Sequence, residues 1–447
     1  MREIITFHIG QTGTQISSPL WELLCLEHNI SLSGELIKEK DKNIEKNDNI
    51  ISYPYKFFDE NLKGKLIPRV LFFDSEMDNF NKIKKNNLKD IFSPNSFNYY
   101  NNFPSGLFIE NPFYRNSKNN EDEYDNIRKL IEKCDSLEGF FLIHSLGGGV
   151  GSSFSSALLR YLNLDYYKKM KFNISIFPSN ESNSSIIEIY NSIFAINDLN
   201  HSDLNLILNN QCLYKICEKY LNINQPNYND INLLIAYLIS NITSSMRFNG
   251  TINSNINELC TNLVIYPNFN FILSSNPPFV TKEKEFLENF SIDRITNLSF
   301  YSDYQMSINN NQYNILNKYI SINLMYKGDI ILNEINIALK YFKERKKIKF
   351  YESIYSGFKY GINNQPIKIL KNRNIGKILR NVCLLYNSTN IKEIFKDIKK
   401  EFDLIYSNKA FLHWYYAEGI TSGSEIEAKF NIESIISDYN ELNNSTL

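Results

Sequence analysis

Three short segments of the sequence place glycine, amide, hydroxyl and carboxylate groups directly after an apolar run. The segments, with the apolar run before each, are Gly10-Gln11-Thr12-Gly13 after 4–9, Asp74-Ser75-Glu76 after 69–73, and Ser145 with Gly147-Gly148-Gly149 after 140–143. Short runs of β-branched and aromatic residues predict buried strands. Because parallel sheets bind ligands at the carboxyl ends of their strands, the three segments together predict one binding site.

The residue types in these segments suit a phosphorylated ligand. Glycines let the backbone approach a phosphate closely, and successive N–H groups at a helix N-terminus form an anion cradle. The carboxylates of Asp74 and Glu76 could hold Mg²⁺ directly or through water, since this ion prefers oxygen ligands. Phosphate and magnesium together indicate a nucleotide.

Other nucleotide-binding and hydrolase motifs are absent from the sequence. It contains no G-x-x-x-x-G-K-[ST], which excludes a P-loop protein. No G-x-G-x-x-G opens a helix after the first strand, which disfavours a dinucleotide fold. No G-x-S-x-G elbow is present, so a serine hydrolase that uses Ser145 is poorly supported.

The elements around these segments alternate between strand and helix. A helix is predicted after Gly10, with an apolar face of Ile16, Leu20, Leu23 and Leu24. A second helix follows the glycine cluster, and a fourth strand covers 173–177. This alternation predicts a doubly wound α/β fold, a parallel sheet covered on both faces. The polar stretches 35–65 and 82–102 predict solvated loops.

The second half of the chain has a mixed pattern and then a helical one. Helical segments such as 231–242 alternate with predicted strands at 271–274, 319–326 and 348–351. Asn390 and Glu393 form a predicted capping pair before an apolar stripe that runs from Ile391 to Ile405, and a last helix is predicted from Ser424 to about Asn443. We therefore expect a nucleotide-binding domain at 1–209, an intermediate mixed α/β domain at 210–389 and a C-terminal helical region at 390–447.

The amino-acid composition limits the classes of partner and ligand that we expect for this chain. The 447 residues include 48 Lys plus Arg and 49 Asp plus Glu, a net charge of -1, so we expect no nucleic-acid or anionic-membrane partner. The six cysteines form no C-x-x-C pair, and neither a zinc site nor a disulfide framework is predicted. The apolar runs are too short for a membrane helix, and we expect an intracellular, cytoplasmic protein.

Several of these segments carry a resemblance to a known family. Residues 1–4 and 8–15 and the loop from Gly147 to Ser152 resemble the tubulins, and Trp21-Glu22-Leu23-Leu24-Cys25-Leu26-Glu27-His28 is similar to α-tubulin in particular. Further matching segments, in order and spacing, are His201-Ser202-Asp203, Asn262-Leu263-Val264, Lys327-Gly328-Asp329-Ile330, Gly357-Phe358-Lys359, Gly361-Ile362-Asn363 and Phe411-Leu412-His413-Trp414-Tyr415. The resemblance covers the chain from end to end. It implies a tubulin-like α/β fold with a GTPase domain, an intermediate domain and a C-terminal helical hairpin.

Two features favour the α type over the β type. Glu258 stands where α-tubulins carry the acidic residue that reaches the nucleotide of the next β subunit, and 365–383 resembles the α-type insertion between two strands. The resemblance implies a structural constituent of cytoskeletal microtubules that pairs with β-tubulin and contacts other tubulin dimers in protofilaments. Its own GTP would be retained without hydrolysis, and Glu258 would be the catalytic residue for GTP on the next β subunit.

The resemblance also implies individual site residues for GTP and Mg²⁺. Those expected at the phosphates and sugar are Gln11, Glu76, Ser145, Gly148, Gly149, Val150 and Ser184. Glu188 would face the ribose, and Asn210, Tyr228 and Asn232 would read and stack the guanine. Asp74 and Glu76 would sit near Mg²⁺.

The sequence departs from the tubulin pattern at several positions. Val150 replaces a hydroxyl residue, Ser153 replaces a glycine, Asn255 replaces a second carboxylate near Glu258, and Leu287 stands where α-tubulins place histidine in the lateral-contact loop. The tail at 440–447 lacks an acidic run. These departures favour an alternative, a non-catalytic tubulin-like subunit that pairs with or caps tubulin without normal polymerisation.

Overall fold

The computed structural model describes residues 2–37, 52–85, 88–100, 103, 106–112, 120–178, 185–285, 290–308, 318–345, 350–351, 357–370 and 374–444. Within these residues, ten strands form one sheet. They are β1 (Glu3–Ile9), β4 (Val70–Asp74), β5 (Phe97–Tyr99), β6 (Leu137–Ser145), β7 (Met170–Phe177), β8 (Leu204–Asn209), β9 (Phe271–Ser275), β10 (Tyr319–Gly328), β11 (Phe358–Asn363) and β12 (Arg380–Ser388). A separate hairpin joins β2 (Phe58–Glu60) to β3 (Leu66–Pro68).

The strand order explains how distant segments reach one edge. The order is β11-β10-β12-β9-β8-β7-β6-β1-β4-β5, and all pairs from β9 to β5 are parallel. Register aligns the carboxyl ends: Ile9 pairs with Phe73, Ser145 with Ile176, and Phe177 with Asn209. The predicted parallel sheet is confirmed. It also continues through β8 and β9 across the predicted boundary at 209, and the three-domain division stays a prediction.

Helices cover both faces of the sheet, as predicted. They are α1 (Gly10–Glu27), α2 (Met77–Lys85), α3 (Asn120–Glu132), α4 (Gly149–Asp165), α5 (Ile186–Asp198), α6 (Asn210–Leu221), α7 (Tyr228–Arg247), α8 (Ile256–Leu263), α9 (Ile292–Ser299), α10 (Leu332–Arg345), α11 (Ile391–Ser407), α12 (Leu412–Ala417) and α13 (Ser424–Asn444). Side chains alternate across a strand, so Ile5 and Phe7 join the core under α4, α5 and α11. Ile4 joins the opposite core under α1 and α7.

Two local predictions are wrong. The stretch 82–102 holds the end of α2 and the whole of β5, and Ile83 and Ile91 are buried there among several exposed lysines. The stretch 35–65 contains the β2 strand. The predicted strand at 348–351 stays a prediction, because residues 346–349 lie outside the described part; Phe350 forms an isolated bridge to Tyr319.

The C-terminal helices largely match expectation. The predicted last helix is confirmed as α13, and the apolar stripe from Ile391 is confirmed on α11. The capping pair is wrong: Asn390 has helical backbone angles and no side-chain cap bond, and Glu393 instead accepts a hydrogen bond from Lys396 at 3.0 Å. No helix in the described residues is both long and apolar enough to cross a membrane.

Candidate functional site

The carboxyl ends of the central strands and the first turns of four helices enclose one cleft. It has a volume of about 340 Å³. Its lining residues are Gln11, Thr12, Gln15, Ser145, Gly147, Gly148, Ile176, Phe177, Pro178, Glu188, Asn210, Tyr228 and Asn232. Seven predicted nucleotide residues therefore meet in one place, although they come from six different elements or turns.

One end of the cleft is built for an anion. β6 ends at Ser145, the turn after it carries Gly147 and Gly148, and α4 begins at Gly149. Within the described residues, no side chain caps α4, whose N-cap Gly148 is extended (φ −77°, ψ 137°). Because the first N–H groups of a helix have no internal partner and its dipole is positive there, this terminus can receive a phosphate.

Backbone packing explains two of the glycines. Gly10 has a φ of +69°, and a Cβ there would lie 3.0 Å from the backbone nitrogen of Gly151. The start of α1 therefore packs closely against the start of α4. A Cβ on Gly149 would lie 2.6 Å from the carbonyl carbon of Gly106. Gly149 is thus required for packing against the 106–107 loop, and it is not among the described residues that line the cleft.

Val150 and Ser153, the two departures in the glycine loop, are both accommodated by the fold. Val150 is half-buried and packs against the apolar core, outside the cleft lining. Ser153 lies in the helical interior of α4 and does not have a positive φ, so a residue with a Cβ fits there. Its hydroxyl donates to the carbonyl of Gly149 at 2.6 Å and accepts from the N–H of Ile109 at 2.8 Å, which ties the 106–112 loop to α4.

The other end of the cleft is built for a planar, polar group. Tyr228 is the first residue of α7 and its side chain is 63% exposed, which leaves a ring face open for stacking. Asn232, one turn further along α7, is buried, and Asn210 begins α6. Asn and Tyr side chains together supply the donors, acceptors and aromatic face that a purine base requires.

Helix capping holds these residues at the cleft. The Asn209 side chain accepts a hydrogen bond from the N–H of Gln211 at 2.9 Å and so starts α6. A capping box between Asn227 and Asp230 starts α7 at Tyr228. Glu188 also lines the cleft, with its side chain against Gly147, and burial raises the pKa of its carboxyl.

Asp74 and Glu76 differ sharply in their surroundings. Asp74 is buried, its Oδ1 accepts from the N–H groups of Ser75 (2.8 Å) and Glu76 (3.3 Å), and its Oδ2 accepts from Asn79 at 2.8 Å. The exposed Glu76 carboxylate accepts one bond from Asn79 at 3.2 Å. Asp74 therefore orders the turn after β4, and its predicted place near Mg²⁺ stays a prediction.

A magnesium ion fits this chain only if phosphates and water supply most of its ligands. Within the described residues, no group of three or more His, Cys, Asp or Glu side chains could hold a metal ion. Mg²⁺ bound with a nucleotide needs only one or two protein oxygens. Glu76 can offer one, directly or through water.

Two site residues, Gln15 and Asn191, were not found from local sequence patterns. Gln15 lines the cleft from α1, four residues after Gln11, together with Thr12 of the predicted Gly10–Gly13 segment. Asn191 is buried on α5, where its Nδ2 donates to the carbonyls of Gly106 (2.7 Å) and Gly147 (2.8 Å) and fixes the glycine turn. The sequence signal that could have identified Asn191 is a polar residue within the apolar face of a helix. Predicted Ser184 lies outside the described residues.

Glu258 lies far from this cleft. It is in the first turn of α8, where the N–H of Ile256 donates to Oε1 of Glu138 at 2.5 Å. At roughly 3.3 Å per residue, β6 spans about 23 Å between Glu138 and Ser145. Glu258 is therefore at the amino edge of the parallel strands, opposite the cleft, and cannot reach a ligand bound there.

Comparisons with known proteins agree with this arrangement. Residues 3–218 match the Tubulin/FtsZ family GTPase domain, and residues 267–400 match the Tubulin C-terminal domain. The chain is 38% identical over 443 residues to the tubulin alpha chain of the Guillardia theta nucleomorph, covering 99% of this chain and 97% of that protein. It is 36% identical over 454 residues to the tubulin alpha-1B chain of Physarum polycephalum, covering 100% and 98%. With both domains and full-length similarity to alpha chains, this chain belongs to the tubulin family as a divergent member most like α-tubulin.

Proposed function

We propose that this chain is the α-type subunit of a tubulin heterodimer, that it binds GTP in the cleft, and that Glu258 promotes hydrolysis of GTP on the β subunit of the next dimer. The observation that carries the proposal is the separation of two features on one rigid sheet. The cleft lies at the carboxyl edge, and the half-buried Glu258 on a short helix lies at the amino edge.

The chemistry of the cleft supports GTP as the ligand. The uncapped start of α4 and the turn at Ser145 suit the phosphates, and the carboxylate of Glu188 suits the donor hydroxyls of a ribose. Tyr228 offers a stacking face, and Asn210 and Asn232 offer amide groups for the guanine edge. Gly149 and Val150 would act through the shape of the glycine loop, and Ser184 remains a proposed phosphate or sugar contact. Magnesium, when bound, would neutralise phosphate charge, with Glu76 beside it.

The distance between the sites supports action in trans. The cleft's own carboxylate, Glu188, is occupied with the ribose in this proposal, and Glu258 is on the opposite edge. A head-to-tail filament brings the amino edge of one subunit to the carboxyl edge of the next, which would place Glu258 beside its neighbour's nucleotide. A carboxylate there can orient and deprotonate the attacking water. The chain's own GTP would then be retained unless a neighbour supplied a similar group.

The proposal is tested with the full-length chain purified as a complex with β-tubulin. After a wash without GTP, we expect close to one non-exchanging GTP per copy of this chain. Glu258→Ala should leave that GTP in place and slow the hydrolysis of β-bound GTP in assembled polymer at least 100-fold, as loss of a general base typically does. A paired but nucleotide-free chain would refute GTP binding, and an unchanged hydrolysis rate would refute the role of Glu258.

A second candidate is a non-catalytic subunit that pairs with tubulin without normal polymerisation. Asn255, at the N-cap of α8 and three residues before Glu258, is the observation that favours it, because an amide cannot replace a carboxylate as a base. Asn255→Asp separates the two candidates. A large gain in hydrolysis from a near-zero starting rate would favour the non-catalytic subunit, whereas a substantial starting rate would favour the first proposal.

A further inference from the structure

Glu258 is held by the residue just before the N-cap of its helix. The backbone N–H of Ser254 donates to Oε2 of Glu258 at 2.9 Å, and the Ser254 hydroxyl donates to the same oxygen at 3.0 Å. Among the described residues, no donor is found on the other carboxylate oxygen, Oε1. The carboxylate thus has one anchored and one available oxygen.

We propose that Ser254 is a positioning residue for Glu258: it anchors Oε2 so that Oε1 faces the water that attacks the neighbouring nucleotide. This inference rests on the proposed function of Glu258. A glutamate side chain has three rotatable bonds, and a water-orienting carboxylate must be held close to its productive position. A two-point anchor on one oxygen removes most of that rotational freedom.

Ser254 can act as an anchor because its own backbone is fixed. Its carbonyl accepts a hydrogen bond from Nζ of Lys56 at 2.7 Å, a contact between residues that are far apart in sequence. On its C-terminal side, Ile256 is held by Glu138 at 2.5 Å. The backbone of the Ser254 turn is therefore tied to the short 3-10 helix Pro54–Lys56 on one side and to β6 on the other.

The loop before Ser254 is also attached to the sheet. The N–H of Thr251 donates to the carbonyl of Ile362 at 3.1 Å, and the hydroxyl of Thr251 accepts from the N–H of Ile362 at 2.9 Å. The side chain of Asn262 on α8 donates to Oδ1 of Asn253 at 2.7 Å. With these contacts, the serine hydroxyl is presented from a rigid turn, and its loss should affect Glu258 more than the fold.

The test measures hydrolysis of β-bound GTP per assembled dimer, together with the critical concentration for assembly. Threonine and valine have nearly the same shape and differ in the hydroxyl, so Ser254→Thr and Ser254→Val form a matched pair, with Ser254→Ala as a second deletion. We expect Val and Ala to slow hydrolysis about 3- to 10-fold, the effect of one hydrogen bond, and Thr to remain within about 2-fold of wild type. The critical concentration should not change.

A double variant separates positioning from a structural role. If Ser254 acts through Glu258, Ser254→Ala should have no further effect on hydrolysis in a Glu258→Ala background. Equal slowing in both backgrounds, or a raised critical concentration with an unchanged rate per assembled dimer, would overturn the inference. If Glu258→Ala slows hydrolysis but the Ser254 variants do not, the positioning role fails alone. If Glu258→Ala has no effect, the proposed function fails first.

Discussion

Glu27 at the carboxyl end of α1 and Arg247 at the end of α7 form a fully buried ion pair, with 2.7 Å between Oε2 and Nη2. Lys327 on β10 donates to the other oxygen of Glu27 at 2.7 Å, and the hydroxyl of Ser240 donates to Oε2 at 2.8 Å. The cluster joins a helix that begins at the cleft to a helix that ends in the loop before Ser254. One carboxylate thus balances two buried cations at the centre of the molecule.

Replacing Glu27 by glutamine should destabilise the protein by about 3–5 kcal/mol, because Arg247 and Lys327 would stay buried without a counter-ion. The measurement is the free energy of unfolding in urea. Glu132→Gln is the control, since Glu132 pairs with Arg128 on an exposed helix face at 3.6 Å and its loss should cost less than about 1 kcal/mol. Equal effects of the two substitutions would contradict the importance of the buried cluster.

As the pH is lowered, the fold should begin to lose stability at a pH well above the range in which carboxylates titrate. Burial lowers the pKa of His8 and His28 from 6.5 to about 3, and that of His144 to about 4. Since the unfolded chain binds these protons near pH 6.5 and the folded chain does not, stability is lost as pH falls below 6.5. Each histidine adds a slope of up to about 1.4 kcal/mol per pH unit, down to about pH 4 for His144.

The free energy of unfolding, measured from pH 7 to pH 4, checks this expectation. His144→Gln keeps a donor for Oδ1 of Asn173, which lies 2.7 Å from Nε2 of His144, and should reduce the slope by about 1.4 kcal/mol per pH unit. The exposed His413 provides a matched His→Gln control that should leave the slope unchanged. The same slope in wild type and His144→Gln would show that His144 does not contribute.

Local sequence patterns predicted the part of the site that follows strands. Gln11 and Ser145 stand directly after apolar runs, so strand prediction and the rule of carboxyl-end binding were sufficient to bring them together. Asn210 and Asn232 have no such signal in an asparagine-rich chain, and only the family resemblance pointed to them. Their place in the cleft follows from the sheet order, which brings β8 beside β7 and which no local pattern encodes.

Side-chain environments were the least predictable feature. The spacing of Asp74 and Glu76 suggested two equivalent carboxylates, whereas the fold buries the first in backbone hydrogen bonds and exposes the second. Ser153 looked like an obstacle because it replaces a glycine, yet a helical backbone and the free N–H of Ile109 turn it into a contact. The partner of Ser153 is set by tertiary structure, whereas the partners of Asp74 are close in sequence and depend on how the turn after β4 folds.

The exposed ring of Tyr228 should contribute to nucleotide retention through stacking. Tyr228→Ala is expected to raise the rate of GTP loss from the purified complex about 5- to 150-fold, the equivalent of 1–3 kcal/mol for one base, and Tyr228→Phe should retain GTP. Tyr167 is similarly exposed, at 65% against 63%, but lies outside the cleft lining, so Tyr167→Ala is the control. Equal rates for Tyr228→Ala and Tyr167→Ala would remove Tyr228 from the site.

Substitutions of Glu76 and Asp74 should have different effects. The first should change the Mg²⁺ dependence of GTP retention, and the second should change the stability of the fold. Glu76→Ala is expected to weaken the Mg²⁺ dependence of GTP retention about tenfold, as loss of an ion's outer ligand does, with no change in unfolding because its side chain is exposed. Asp74→Asn should instead cost about 1–3 kcal/mol of stability, since its amide would place a donor against Nδ2 of Asn79, 2.8 Å from Oδ2 of Asp74. A loss of Mg²⁺ dependence in Asp74→Asn at unchanged stability would instead support the predicted place of Asp74 near the ion.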